Sequence, residues 1–190
     1  MTQIPLFQPP SEWTPPEKIP DLSDAKEIAI DLETCDPSIK TKGPGWTRDE
    51  GFIAGVAIAV EGWKGYFPIR HEGGGNFDEK IIKRQVQRIM DLPCDKVFHN
   101  AAYDVGWLRW WGVEVKGKII DTLVAAPLID ENRFRYNLND LGRDYLKETK
   151  SEALLYEAAK EWGLDAKGEM YKLPPMYVGS YAEQDADLTL

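Results

Sequence analysis

Residues 27–35 read EIAIDLETC, an apolar run that becomes an alternation, Ile30-Asp31-Leu32-Glu33, as it ends. This pattern predicts a strand whose side chains point to opposite faces in turn. Asp31 and Glu33 then share one face, roughly 7 Å apart at about 3.3 Å per residue. A Gly/Pro-rich loop, CDPSIKTKGPGW, follows. The runs GFIAGVAIAVE and WKGYFPI predict two further strands, paired as a hairpin that closes through Glu61 and Gly62. After the glycines at 73–75, FDEKIIKRQVQRIM has helical periodicity. Its apolar stripe is Ile81, Ile82, Val86, Ile89 and Met90, with Lys83, Arg84, Gln87 and Arg88 outside. KVFHN predicts a short strand leading into helix AAYDVGWLRWW, and GKIID a second one before helix TLVAAPLI. Three successive strands followed by alternating helices and strands predict an α/β fold, a mixed β-sheet flanked by α-helices.

From Asn137 onward the pattern is helical. NLNDLGRDYL and SEALLYEAAKEWG predict helices, the second capped by Gly163. After the loop LDAKGEMYKLPPMYVG, the final SYAEQDADLTL carries Ser180 and Glu183 in capping-box spacing, which predicts a helix starting at Tyr181. Only about 15 Å of helix remains from there at 1.5 Å per residue. So short a finish implies a domain cut from a longer protein. Residues 1–24 hold six prolines and predict an extended arm, packed on the domain through Leu6, Phe7 and Trp13. Residues 25–190 form the domain proper.

Composition narrows the function classes. The 190 residues suit a single well-buried domain. No apolar run approaches the roughly 20 residues of a membrane span, and the N-terminus lacks a signal-peptide core. Cys35 and Cys94 are the two cysteines and point to a reducing compartment. With His71 and His99 the two histidines, a zinc site of histidine and cysteine ligands is disfavoured. Neither histidine accompanies a nucleophile elbow, and no G-x-G-x-x-G follows the first strand. The net charge of −9 argues against broad electrostatic binding of nucleic acid, yet suits clustered carboxylates that gather hard divalent cations.

Two further acidic positions are informative. Asp104 shares a helix face with Leu108 and Trp111, where a charge is costly unless a cation or strong donors hold it. Tyr181 and Asp185 stand one helical turn apart. Each has a plain explanation alone: a strand end in water, a helix dipole favouring Asp104, a solvated Tyr–Asp pair. Together they supply four carboxylates and a phenol from distant segments that a mixed sheet with flanking helices brings together. Such a cluster is what two-metal hydrolysis of phosphodiesters requires.

These residues carry a resemblance. DLET, HNAAYD and YAEQD resemble, in order, the three motifs of the 3′→5′ exonucleases of the DEDD superfamily, which have a ribonuclease H-like fold. No histidine follows His99, so the tyrosine branch fits. DTLVAAPLIDENRFRYNLNDLGRDYL further resembles the proofreading domain of family A, polymerase I-like DNA polymerases of phage type.

The resemblance implies that Asp31 bridges two Mg²⁺ ions, with Mn²⁺ able to substitute, and that Glu33 and Asp185 complete the site that activates water. It assigns Asp104 to the second ion and Tyr181 to orienting the water. The substrate would be a single-stranded DNA 3′ end, cut to 5′-mononucleotides, in the cytoplasm of the phage's host. A polymerase domain would follow in the natural chain. Leu32 and Tyr103 are candidates to pack on terminal bases, and Thr34 and Asn100 to touch sugar or phosphate, with core packing or local capping as the alternatives. Lys147, Lys150, Lys167 and Lys172, with Tyr171, form either a path for the strand or a solvated face. An RNA exonuclease of the ribonuclease D type carries the same motifs, and an inert exonuclease-like scaffold is the non-enzymatic alternative.

Overall fold

The computed structural model describes residues 5–190. The first four residues of the arm lie outside the described residues.

Five strands form the sheet: β1 (Glu27–Cys35), β2 (Phe52–Val60), β3 (Trp63–Pro68), β4 (Asp95–Phe98) and β5 (Ile119–Asp121). Their order is β3-β2-β1-β4-β5. β3, β2 and β1 are antiparallel neighbours, whereas β4 and β5 continue parallel to β1. The hairpin between β2 and β3 closes at Glu61 and Gly62, the glycine at φ 80°. Among the described residues seven α-helices accompany the sheet: α1 (Ile39–Lys42), α2 (Glu79–Met90), α3 (Ala101–Trp110), α4 (Thr122–Ile129), α5 (Leu138–Leu141), α6 (Ala153–Trp162) and α7 (Gly179–Thr189).

The sheet is covered on both faces, which explains why β1 and β2 read as nearly continuous apolar runs. One face packs Ile28, Ile30 and Leu32 against α2 and α3 through Ile82, Val86, Trp107 and Leu108. The other presents small residues, Ala29, Ala57 and Ala59, to Leu155 and Ala158 of α6 and to Ala182 and Ala186 of α7. Alanine against alanine lets the α7 backbone approach the sheet closely. Because side chains alternate, the positions after Ala29 on that face are Asp31 and Glu33.

Four expectations need correction. Ile81 is 47 % exposed, because the stripe that reaches the sheet is Ile82, Val86, Ile89 and Met90. Leu6 and Phe7 are exposed, since the arm is tied down only beyond them. Those ties are Ser11 Oγ to Met176 O (2.6 Å), Tyr177 Oη to Pro9 O (3.0 Å) and the Trp13 indole on α7. The segment NLNDLGRDYL is α5 followed by a wider π turn at Gly142–Leu146, with Asn137 as the N-cap. Finally, α7 begins at Gly179 and no side chain caps its start. Glu183 is drawn away from capping because its Oε1 accepts from Tyr66 N of β3 (3.1 Å).

Candidate active site

Glu33 is buried and its Oε1 has no hydrogen-bond partner among the described residues. Asp31, two positions back, is partly buried. The pairing of β1 with β2 slips between Glu33 and Thr34, a bulge of the kind that re-aims side chains at a strand end. Opposite Glu33 stands Gly55, where any Cβ would collide with the Tyr66 ring lying over the strand. Burial, then the charge of Asp185, push the Asp31 carboxyl up to about 7, against the pull of Lys150 and Lys167. The Glu33 carboxyl is raised well above the usual range by burial, and further by Asp31 and Asp185.

Asp104 reaches the same place from α3. The parallel ladder between β1 and β4 ends at Ala29 and Val97, so the far end of that β1 edge has no strand partner. Asp104 fills the gap: its Oδ1 accepts from Leu32 N at 3.2 Å. The carboxyl is buried and held well above its ordinary value by burial first and Asp31 second, with the Leu32 hydrogen bond opposing.

A residue missed in the sequence sets this helix. Asp121 accepts from Asn100 N (2.9 Å), Ala101 N (2.8 Å) and Leu123 N (3.0 Å), capping α3 and α4 together. Its place just before an apolar helical run was the available signal. Asn100 takes φ 77°, a left-handed conformation that asparagine tolerates, and its exposed side chain caps nothing.

Tyr181 and Asp185 project from α7 on adjacent turns, 8 % and 5 % exposed. Burial, then Glu33 and Asp185, raise the Tyr181 hydroxyl far above its ordinary value of 10. Of the four lysines considered together, two converge here. Lys150 Nζ lies 2.7 Å from both Asp185 carboxylate oxygens, with hydrogen-bond geometry to Oδ2. Lys167 Nζ lies 3.8 Å from the Tyr181 ring centroid and pairs with Glu152 at 2.7 Å. Lys147 instead donates to Asp144 O (2.8 Å), and Lys172 pairs with Glu169.

The candidate substrate contacts divide similarly. Leu32 is packed in the core. Thr34 Oγ1 and Tyr103 Oη are 2.7 Å apart, and Tyr103 Oη donates to Asp36 Oδ2 at 3.1 Å. Asp36, a third acid after DLET, is a second residue that sequence reasoning missed.

Asp31 raises Glu33 and Asp104, and Asp185 raises Asp31 and Glu33, so the charges of these segments act on one another at one place. Among the described residues, no three acidic, histidine or cysteine side chains already form a finished cation cage. The donor set is nevertheless all oxygen. It also holds an unpartnered buried carboxylate atom, and at Glu33 the repulsion of Asp31 and Asp185 outweighs the pull of Lys167 and Lys150. Those properties fit a hard divalent cation such as Mg²⁺ or Mn²⁺.

A family model described as 3'-5' exonuclease matches residues 14–190. Over 196 aligned residues the chain is 38 % identical to a DNA-directed DNA polymerase of Pseudomonas phage M6, covering 99 % of this chain and 30 % of that protein. It spans less than a third of the length of the curated relatives it matches. Among solved structures, Trypanosoma brucei RNase D in complex with GMP superposes with a TM-score of 0.63 at 17 % identity, over 88 % of this chain and 49 % of that one. Brucella melitensis NrnC with bound Mg²⁺ gives 0.57 at 17 % identity, over 90 % and 72 %. At that identity these two likenesses concern the fold, the ribonuclease H-like one.

Proposed function

The chain belongs to the 3′-5′ exonuclease domain family of the family A DNA polymerases, and from that premise we propose that it shortens single-stranded or frayed DNA from the 3′ end, proofreading during replication. The observation that carries the reading is the convergence of four carboxylates from β1, α3 and α7, three of them buried, with the buried Tyr181 hydroxyl beside them.

Asp31, Glu33, Asp104 and Asp185 would hold two divalent cations, Mg²⁺ or Mn²⁺, which lower the pKa of water and offset charge on the attacking and leaving oxygens. The chain's own contribution is positional. Tyr181 keeps its proton at neutral pH, because its hydroxyl is raised above an already high value. It therefore serves to orient the attacking water by hydrogen bonding rather than to deprotonate it. Asp104, fixed by Leu32 N, keeps α3 in register with the end of β1. Thr34 and Tyr103, coupled through their hydroxyls, would contact the terminal nucleotide. The product is a 5′-dNMP.

Similarity to a phage DNA polymerase supports DNA as the substrate, a polymerase region elsewhere in the natural protein, and work in the host cytoplasm. Among the described residues no helix is long and apolar enough to cross a membrane.

Digestion of a 5′-labelled single-stranded DNA oligomer with Mg²⁺ or Mn²⁺ tests the reading, with EDTA and Asp31→Ala as controls. A ladder shortening from the 3′ end, absent in both controls, is expected. No shortening by the folded protein would sink the proposal. Faster shortening of an RNA oligomer of the same sequence would transfer it to RNA.

A further inference from the structure

Lys150 is an unusual lysine for a loop. Its side chain is 10 % exposed, and its ammonium lies 2.7 Å from each oxygen of the Asp185 carboxylate. The peptide segment that carries it is bolted to the helix that carries Asp185. Gln184 takes a hydrogen bond from Ser151 N (2.6 Å) and gives one to Thr149 O (3.0 Å), gripping the residues on either side of Lys150. Lys150 N itself donates to Asn139 Oδ1 (3.3 Å). An exposed lysine loses rotamer entropy when it pairs, which is why surface ion pairs contribute little. Here the anchor already fixes the segment, and the partner is buried.

We propose that Lys150 is a positioning residue of the exonuclease site: its ammonium is a built-in counter-cation that holds Asp185 when no divalent ion is present and has to yield that carboxylate when one binds. The proposal rests on the divalent-ion reading above. A carboxylate oxygen ligates Mg²⁺ at about 2.1 Å. With Nζ still 2.7 Å from the same two oxygens, ammonium and ion would stand within roughly 4–5 Å as like charges. The two are therefore competitors for one carboxylate. Lys150 keeps α7 charge-compensated against β1 before the ion arrives, at the expense of ion affinity. Lys167 does not compete in this way, because its ammonium sits over the Tyr181 ring and pairs with Glu152.

The test is calorimetric titration of Mn²⁺ into the metal-stripped chain at pH 8, comparing the unaltered protein with Lys150→Met and Lys150→Arg, each verified as folded by circular dichroism. Removing a charge-assisted contact to a ligand is expected to tighten Mn²⁺ binding by about tenfold in Lys150→Met. Lys150→Arg, which keeps the charge, stays within about twofold of the unaltered chain. In EDTA, Lys150→Met melts at a lower temperature, and saturating Mn²⁺ removes most of the difference. Mn²⁺ binding that is unchanged or weaker in Lys150→Met refutes the proposal and leaves the divalent-ion reading standing. A gain in Lys150→Arg equal to that in Lys150→Met assigns the effect to loop geometry and also refutes it. If neither the unaltered chain nor Lys150→Met takes up Mn²⁺, the divalent-ion reading fails and the proposal fails with it.

Discussion

Replacing Asp31 by asparagine is expected to make the ion-free protein more stable while removing its activity. The magnitude follows from the carboxyl's environment. Its ordinary pKa of 3.8 rises to about 7 in the fold, driven by burial and by Asp185. A group raised on folding favours the folded state fully below its unfolded pKa. That contribution is lost as pH climbs through the folded value, here between about pH 4 and pH 7. At 1.36 kcal/mol per unit, the ionised side chain costs on the order of 4 kcal/mol above pH 7, of which about 1.7 kcal/mol is already present at pH 5. Asp31 is partly exposed, and solvent screening reduces the difference between those two pH values to about 2 kcal/mol. Relief of Glu33 and Asp104, both raised by Asp31, acts in the same direction.

The assay is urea unfolding in EDTA at pH 5 and pH 8. The advantage of Asp31→Asn should grow by about 2 kcal/mol between them. Adding Mg²⁺ at pH 8 should stabilise the unaltered chain and leave the variant unchanged. An asparagine variant that is less stable than the unaltered chain at pH 8 in EDTA would refute the electrostatic reasoning, because Asp31 would then be contributing stability as an anion.

Other outcomes follow from the same geometry. Asp104→Asn keeps an oxygen to accept from Leu32 N, so at pH 5 its stability stays within about 1 kcal/mol, whereas Asp104→Ala loses about 1–3 kcal/mol; both lack exonuclease activity. Tyr181→Phe should lower kcat/KM on the labelled oligomer about a hundredfold with Mn²⁺ affinity preserved, and a matching loss of affinity would contradict an orienting role. A Cβ at Gly179 would lie 2.0 Å from the Trp13 indole, so Gly179→Ala should destabilise by about 1–3 kcal/mol. In a Trp13→Ala background the same change becomes neutral or gains up to about 1 kcal/mol of helix propensity, and an equal penalty in both backgrounds would exclude the collision as its cause.

What could be read in the sequence was whatever depends on local period and on the order of segments. The face shared by Asp31 and Glu33 follows from a period of two. The adjacency of Tyr181 and Asp185 follows from a spacing of four, and both survive in the structure. The mixed sheet followed from the succession of strands and helices. Contacts that depend on long flexible side chains were not legible. Lys150 meets Asp185 across 35 residues of chain, and nothing in its neighbours separates it from Lys147 or Lys172. The Tyr103–Asp36 hydrogen bond depends on the path of a Gly/Pro-rich loop. Ser180 and Glu183 show a local rule overridden from outside: the spacing was right for a capping box, but the edge strand offered Glu183 an unpaired N–H.

The arm contacts bear on the order in which the molecule forms. Ser11 meets Met176, and Pro9 meets Tyr177, across separations of 165 and 168 residues, so these hydrogen bonds close nearly the whole chain into a loop. Contacts of that range are the slowest to be made. Asp31, Glu33 and Asp104 also precede Tyr181 and Asp185 in the chain, with α4, α5 and α6 between them. The full set of four carboxylates is therefore assembled only once α7 has joined β1 and α3.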